Sequence, residues 1–332
     1  MSRRAGAAMK HAGTSAGGAF AGRRQGPPLP KAVAVVGPTG SGKTELAVRM
    51  AERLGGEVVS TDSLQVYRHL DIGTAKPSAE ERARARHHLL DLVAPDEPFS
   101  AGAYVEAATG VLRSLAAEGK PAILCGGTGL YFRALTEGLV PIPAVPPDVR
   151  RAVAERVERQ GTPACHGELA RLDPETAARL HPNDTARVSR ALEVVLATGI
   201  PLSRHREGGQ AACVLGQVLH VGVAWERADL YARLERRVAG MLQRGWIEEV
   251  RAVLAMGYAA DCKPLRAIGY REIVAFLGGQ SGGSPLAEEI AQRTRNYAKR
   301  QLTWFRNQAR VEWFPAGQMD EAVARAKAFL AG

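Results

Sequence analysis

Cysteine is scarce and scattered. Cys125, Cys165, Cys213 and Cys262 are the only four in 332 residues, with no C-x-x-C pair and no histidine at finger spacing. That argues against a disulfide framework or a zinc site and fits a reducing cytoplasm. No apolar run approaches the ~18 residues needed to cross a bilayer, so no membrane partner is expected. No internal repeat is present, and the expected state is a monomer. Acids are missing from residues 1–30, which carry Arg3, Arg4, Lys10, Arg23 and Arg24 and give 13 positions to Ala and Gly. Such a segment cannot bury enough apolar surface to offset its ordering entropy and reads as a disordered basic tail. It lacks the apolar stretch of a signal peptide and is too rich in Gly for the amphipathic helix of a transit peptide.

What remains is ordinary for a globular chain, with 45% hydrophobic and 23% charged residues. The formal net charge is +10, and half of it sits in the basic tail. The excess left in the folded part permits a polyanionic partner without requiring one.

Ala32 to Val36 is a short apolar, β-branched run of the kind a buried parallel strand uses. Helix-forming residues follow from Glu45 to Leu54 and stop at Gly55-Gly56. Val58 to Thr61 and Pro121 to Cys125 read as further strands, with a helix over Tyr104 to Glu118 between them. This alternation predicts an α/β fold, a P-loop doubly wound parallel sheet. Pro141, Pro143, Pro146 and Pro147 form a stiff connection into an Ala-, Arg- and Leu-rich stretch, read as a helical insertion over 141–209. The core then comprises 31–140 plus 210–332. Val218 to Ala224 returns to the sheet. Leu230, Leu234, Val238 and Met241 recur at helical spacing, so the C-terminal part is expected to be mostly helix.

The strongest local signal is Gly37-Pro38-Thr39-Gly40-Ser41-Gly42-Lys43-Thr44, which matches G-x-x-x-x-G-K-[ST] between a strand and a helix. Glycines let backbone N–H groups converge on phosphate oxygens. The helix N-terminus and Lys43 add positive charge, and the Thr44 hydroxyl is the expected Mg²⁺ ligand. The loop does not say which phosphate compound binds. An NTPase, a small-molecule kinase and an enzyme that holds a departing diphosphate all remain open. An NTPase usually places a metal-binding Asp at a second strand end. Here one strand ends in Cys125-Gly126-Gly127, and only Asp62 or Asp91 could serve.

Asp62 lies 18 residues past Thr44 at a probable strand end, on the sheet edge that faces the ligand crevice. A carboxylate there can take a proton from a nucleophile held beside the phosphates. Gln65 follows on the same loop, and a Gln amide can pair with an adenine edge.

Several separated motifs now come together: GPTGSGKT at Gly37, STDSLQVYRHLDIGTAKP from Ser60, RHHLLD from Arg86 and FSAGAY from Phe99. CGGTGLYFRAL follows from Cys125, NDTARVSRALEV from Asn183, RAIGYRE from Arg266 and KRQLTWFR from Lys299. Over about residues 32–315 the chain resembles the tRNA dimethylallyltransferase (tRNA isopentenyltransferase) family of bacterial type. The resemblance implies transfer of a dimethylallyl group from its diphosphate to N6 of the adenosine 3′ of the anticodon. The P-loop then cradles a leaving group, with Mg²⁺ as cofactor. It implies Asp62 as base, Thr128 beside the reacting centre and Arg227 on the diphosphate.

The implied contacts with the tRNA anticodon stem-loop are Asp62, Ser63, Leu64, Gln65, Thr128 and Arg150, then Ala186, Arg187, Val188, Ser189 and Arg190. A third group is Arg266, Ala267, Ile268, Gly269, Tyr270 and Arg271. The last is Lys299, Arg300, Gln301, Leu302, Thr303, Trp304, Phe305 and Arg306. Residues 293–310 hold six cations and no acid. Arg295, Lys299, Arg306 and Arg310 share one helical face, and Tyr297, Arg300 and Trp304 share another. Basic stripes bind phosphates, and aromatics stack on extruded bases. Thr185 stands where the family pattern has Pro. His87 and His88 are expected to pack or cap.

Overall fold

The computed structural model describes residues 29–209, 213–280 and 283–332. The expected disordered tail lies outside the described residues, apart from its last two. Among the described residues no helix is long and apolar enough to cross a membrane. The chain divides into two compact units, one of residues 29–139 with 213–332 and the other of residues 140–209.

The larger unit is built on strand alternation. In β1 (Leu29–Val36), Val33 and Val35 enter one apolar cluster while Ala32, Ala34 and Val36 enter another. Both faces of the strand are therefore covered, as its unbroken apolar run requires. The chain continues through α1 (Lys43–Leu54), β2 (Glu57–Ser60), α2 (Ala79–Arg84), β3 (His87–His88), α3 (Ala101–Ala117), β4 (Ala122–Cys125) and α4 (Gly129–Thr136).

The smaller unit holds α5 (Pro147–Gln160), α6 (Thr162–Leu172), α7 (Pro174–Ala178), α8 (Thr185–Thr198) and α9 (Leu202–Glu207). Val153, Leu169, Val188, Leu192 and Leu202 form its core. Buried Asp173 ties it together, accepting the Thr176 and Ser203 amides at 3.0 Å each. The departure from the family's Pro does not disturb α8. Asp184 caps the helix through the Arg187 amide at 3.2 Å, and the Thr185 hydroxyl sits 2.8 Å from that of Thr162.

The chain then returns to the sheet through β5 (Leu215–Ala224). It ends with α10 (Arg227–Gln243), α11 (Trp246–Ala255), α12 (Tyr270–Leu277), α13 (Leu286–Gln308), β6 (Val311–Pro315) and α14 (Met319–Ala331). All six strands are parallel, in the order β3-β2-β4-β1-β5-β6. The α/β, doubly wound expectation holds, with β1 central. The two outer strands are additions to it. His87 and His88 form the short edge strand β3, where His88 Nε2 lies 2.5 Å from Glu57 Oε2. At the other edge β6 interrupts the expected C-terminal helices. Its Trp313 packs against Gly222, where a Cβ would come 2.5 Å from the indole.

Candidate active site

The carboxyl ends of β1, β2 and β4 are neighbours, so the loops leaving them share one crevice. Gly37 to Gly42 leave β1. Gly40 and Gly42 have φ of 77° and 92°, values that non-glycine residues rarely adopt. Gly42 precedes α1 with no side-chain cap, so the first amides of the helix stay available for an anion. Lys43 Nζ donates to the Pro38 carbonyl at 2.6 Å and is held over its own loop. Burial pulls the Lys43 pKa down to about 8, against a partial counter-effect from Cys125 and Asp62.

Asp62 leaves β2 into the same crevice. Its Oδ1 accepts the Leu64 amide at 2.9 Å, which fixes the carboxylate in a tight local turn. Burial raises its pKa above the usual carboxylate value, although Leu64, Lys43 and Arg237 all favour the ionised form. A half-buried carboxylate with a raised pKa beside a phosphate loop is the profile of a general base. The Cys125 thiol, at the end of β4, is pushed up to about 12 by burial and stays protonated.

Thr128 precedes α4, but its side chain does not cap that helix. The hydroxyl instead accepts the Ser63 amide at 3.1 Å and stands 3.3 Å from the Ser63 hydroxyl. The turn after β4 is thereby fastened to the loop carrying Asp62. Asp62 and Thr128 therefore sit on adjoining loops of one crevice.

Other positions call for correction. Arg227 is exposed at the start of α10, with its guanidinium 5.2 Å from the Tyr231 ring centroid. Arg237, two to three turns further along α10, is half-buried, and its charge is felt by Lys43 and Asp62. Burial lowers its pKa, as do Arg233 and Arg244. Arg233 joins it by donating to the Gly40 carbonyl at 2.6 Å. Sequence reasoning missed both, because the stripe Leu230, Leu234, Val238 and Met241 marks only the face of α10 that packs.

Gln65 does not offer its amide to a base. Its Oε1 accepts from Ser60 at 3.0 Å, and its Nε2 donates to the Thr74 and Ala75 carbonyls at 3.3 and 3.2 Å. Asp91 is no metal ligand candidate either, since it pairs with buried Lys76 and with Arg82. The side chains of Val188, Tyr270, Gln301 and Phe305 are buried, so the surface role expected of them is withdrawn. Tyr270 instead donates to Glu249 at 2.7 Å.

Around these buried positions the rest form surface. Arg150, Ala186 and Arg187 are exposed on the smaller unit, with Ser189 and Arg190 half-buried. Arg266 and Arg271 are exposed on the larger, flanking half-buried Ala267 and Ile268 and buried Gly269. On α13, Arg293 and Arg295 are occupied by Glu272, Glu289 and Glu235. That leaves Lys299, Arg300, Thr303 and Arg306 exposed beside half-buried Leu302 and Trp304. Asn296, Lys299, Arg300, Thr303, Trp304 and Asn307 line an open recess of about 540 Å³.

A phosphate loop and a half-buried carboxylate in one crevice, beside a basic and aromatic helix, place the chain among the P-loop α/β proteins. Residues 65–308 match the family model described as IPP transferase. A tRNA dimethylallyltransferase of Geobacter sulfurreducens is 48% identical over 86% of this chain and 93% of that protein. The crystal structure of the full-length tRNA isopentenylpyrophosphate transferase from Bacillus halodurans is 38% identical. It matches with a TM-score of 0.64 over 91% of this chain and 96% of that one. A eukaryotic dimethylallyltransferase acting on tRNA matches with a TM-score of 0.75 at 26% identity, over 91% of this chain and 80% of that one. The chain belongs to the IPP transferase family, and it is an enzyme of the tRNA dimethylallyltransferase kind.

Proposed function

We propose that this enzyme moves the dimethylallyl group of dimethylallyl diphosphate onto N6 of the adenosine 3′-adjacent to the anticodon of tRNA. The observation that carries the reading is Asp62, a carboxylate with a raised pKa in the same crevice as the P-loop. The bond from the allylic carbon to the diphosphate oxygen breaks, and a bond from that carbon to N6 forms. The N6 proton passes to Asp62, and diphosphate leaves with the electron pair. Adenine N6 is a weak nucleophile, so a positioned base is of use, typically worth ~10²–10⁴-fold. In this reading Lys43, the α1 amides and Arg237 stabilise the charge that grows on the leaving group, which favours the transition state over the ground state.

Mg²⁺ is the cofactor this reading calls for. No cluster of three His, Cys, Asp or Glu able to hold a metal occurs among the described residues. Mg²⁺ usually takes one or two protein oxygens and fills its shell with substrate phosphate and water, which leaves Thr44 as its protein ligand here. Bound there, it would neutralise charge on the departing diphosphate. Exposed Lys299, Arg300 and Arg306 of α13, with Arg150, supply phosphate contacts to the anticodon stem-loop, and Arg187, Arg266 and Arg271 join them by releasing Asp184, Asp261 and Glu272. Trp304 supplies a stacking face for the extruded adenine, which must leave its stack to be reached. The enzyme acts as a monomer in the cytoplasm.

The test uses an anticodon stem-loop, dimethylallyl diphosphate and Mg²⁺. The loop carrying adenosine gains one dimethylallyl group. The loop carrying inosine there, which lacks the exocyclic amine, gains none. Equal transfer to inosine would overturn the assignment of N6.

A further inference from the structure

Gln301 is the one residue of the KRQLTWFR segment whose polar side chain turns inward. It is 6% exposed, yet both ends of its amide are used. Oε1 accepts the Thr39 amide of the phosphate loop at 2.8 Å, and Nε2 donates to the Gly127 carbonyl at 3.1 Å. One buried side chain thus joins the loop that leaves β1 to the turn that leaves β4 and carries Thr128.

The fit around it is close. A Cβ on Gly127 would come 2.1 Å from Gln301 Nε2, and one on Gly129 would come 2.4 Å from the Trp304 ring. Helix α13 therefore rests on this turn through two glycines. The neighbouring face of the helix, with Lys299, Arg300, Thr303 and the same Trp304, lines the open recess. An amide suits both partners: the Thr39 N–H needs an acceptor and the Gly127 carbonyl needs a donor, on one short side chain. A carboxylate would place an acceptor against a carbonyl, and an apolar side chain would leave two buried groups unpaired.

We infer that Gln301 is a positioning residue that couples tRNA docking in the recess beside α13 to diphosphate binding at the loop beneath it. This rests on the proposed function. A nucleic acid seated in the recess loads the helix one residue from Gln301. The amide passes any shift to Thr39 and Gly127 together, so the diphosphate loop and the Thr128 turn keep their spacing. Each substrate then favours the same arrangement, and by linkage each raises the affinity of the other.

The test measures binding of a non-reacting dimethylallyl thiodiphosphate to the full-length enzyme, with and without an anticodon stem-loop. In the wild type, RNA raises analogue affinity by a factor in the range ~5–150 typical of coupled sites. Gln301→Met keeps the shape and loses both hydrogen bonds. We expect its coupling factor to fall close to one while each ligand alone still binds. An unchanged factor in Gln301→Met, or no coupling in the wild type, overturns the inference.

Gln301→Glu gives a second readout should the methionine variant fail to fold. When ionised, its carboxylate repels the Gly127 carbonyl; when protonated, it can donate there and accept from Thr39. Burial raises the pKa of such a carboxyl. Coupling in Gln301→Glu should therefore be weak at alkaline pH and recover as the pH falls. A pH-independent factor equal to that of the wild type contradicts the inference. A wild type that binds the analogue but no RNA would instead remove the proposed function beneath it.

Discussion

The Thr128 hydroxyl accepts the Ser63 amide at 3.1 Å, so the turn after β4 is pinned to the loop after β2. Together with the Thr128 amide, which donates to the Thr61 carbonyl at 3.3 Å, it holds this turn against the loop that carries Asp62, the proposed base. Thr128→Val keeps the volume and removes the hydroxyl. We expect kcat to fall about 10²-fold, the order that a misplacement of ~1 Å costs. Thr128→Ser restores most of it. Single-turnover rates with thermal melting as a control check this, and an unchanged rate in the valine variant contradicts it.

The pH profile follows from two groups in the crevice. Asp62 acts when ionised, and burial raises its pKa, so kcat/KM falls as the pH drops through that raised value. Lys43 acts when charged and loses its proton at about 8, so kcat/KM also falls above that pH. The profile of the free enzyme is a bell. Arg237 lowers both pKa values. Arg237→Met should therefore displace both limbs to higher pH. Limbs that stay in place, or that move in opposite directions, contradict this assignment.

The two arginines of α10 separate cleanly. Arg237 is half-buried and its charge acts on Asp62 and Lys43, whereas Arg227 is exposed at the helix start. Arg237→Ala is expected to lower kcat/KM by ~10²–10³-fold, the usual loss on removing one donor from a charge-stabilising site. Arg227→Ala is expected to change it little. Steady-state kinetics on dimethylallyl diphosphate decide, and the reverse ranking would reinstate Arg227.

These residues mark how far sequence alone reaches. The apolar runs of β1, β2, β4 and β5 are legible because buried parallel strands are continuous in hydrophobicity. The edge strand β3 is two histidines and has no apolar run to read. Strand β6 carries Glu312 between apolar neighbours and follows directly on a helix. The phosphate loop and Asp62 are legible because local spacing encodes them. Arg237 is not, since burial of one arginine among many depends on how α10 packs. Positions taken from family motifs as continuous blocks include interior members. Phe305 and Val188 sit on the inner faces of their helices, and only helical packing separates them from their exposed neighbours.

Salt dependence tests the RNA surface. Lys299 and Arg306 are exposed on α13. Replacing both with Gln should weaken stem-loop binding and reduce the slope of log K against log salt by up to ~1.5, the share of about two phosphate contacts. Arg293→Gln, at a cation already paired with Glu272 and Glu289, should leave the slope nearly unchanged. Filter binding over a salt series measures both, and equal slopes in all three proteins would make the α13 face a merely solvated one.

The central claim is that the P-loop holds a departing diphosphate while Asp62 takes the proton of an adenine amine. The most direct measurement digests tRNA to nucleosides after incubation with the enzyme, dimethylallyl diphosphate and Mg²⁺, and weighs the products. The account predicts N6-dimethylallyladenosine with wild type, and a rate lower by ~10²–10⁴-fold with Asp62→Ala at nearly unchanged tRNA affinity. Absence of that nucleoside, with ATP-dependent phosphorylation of a small molecule in its place, would contradict it.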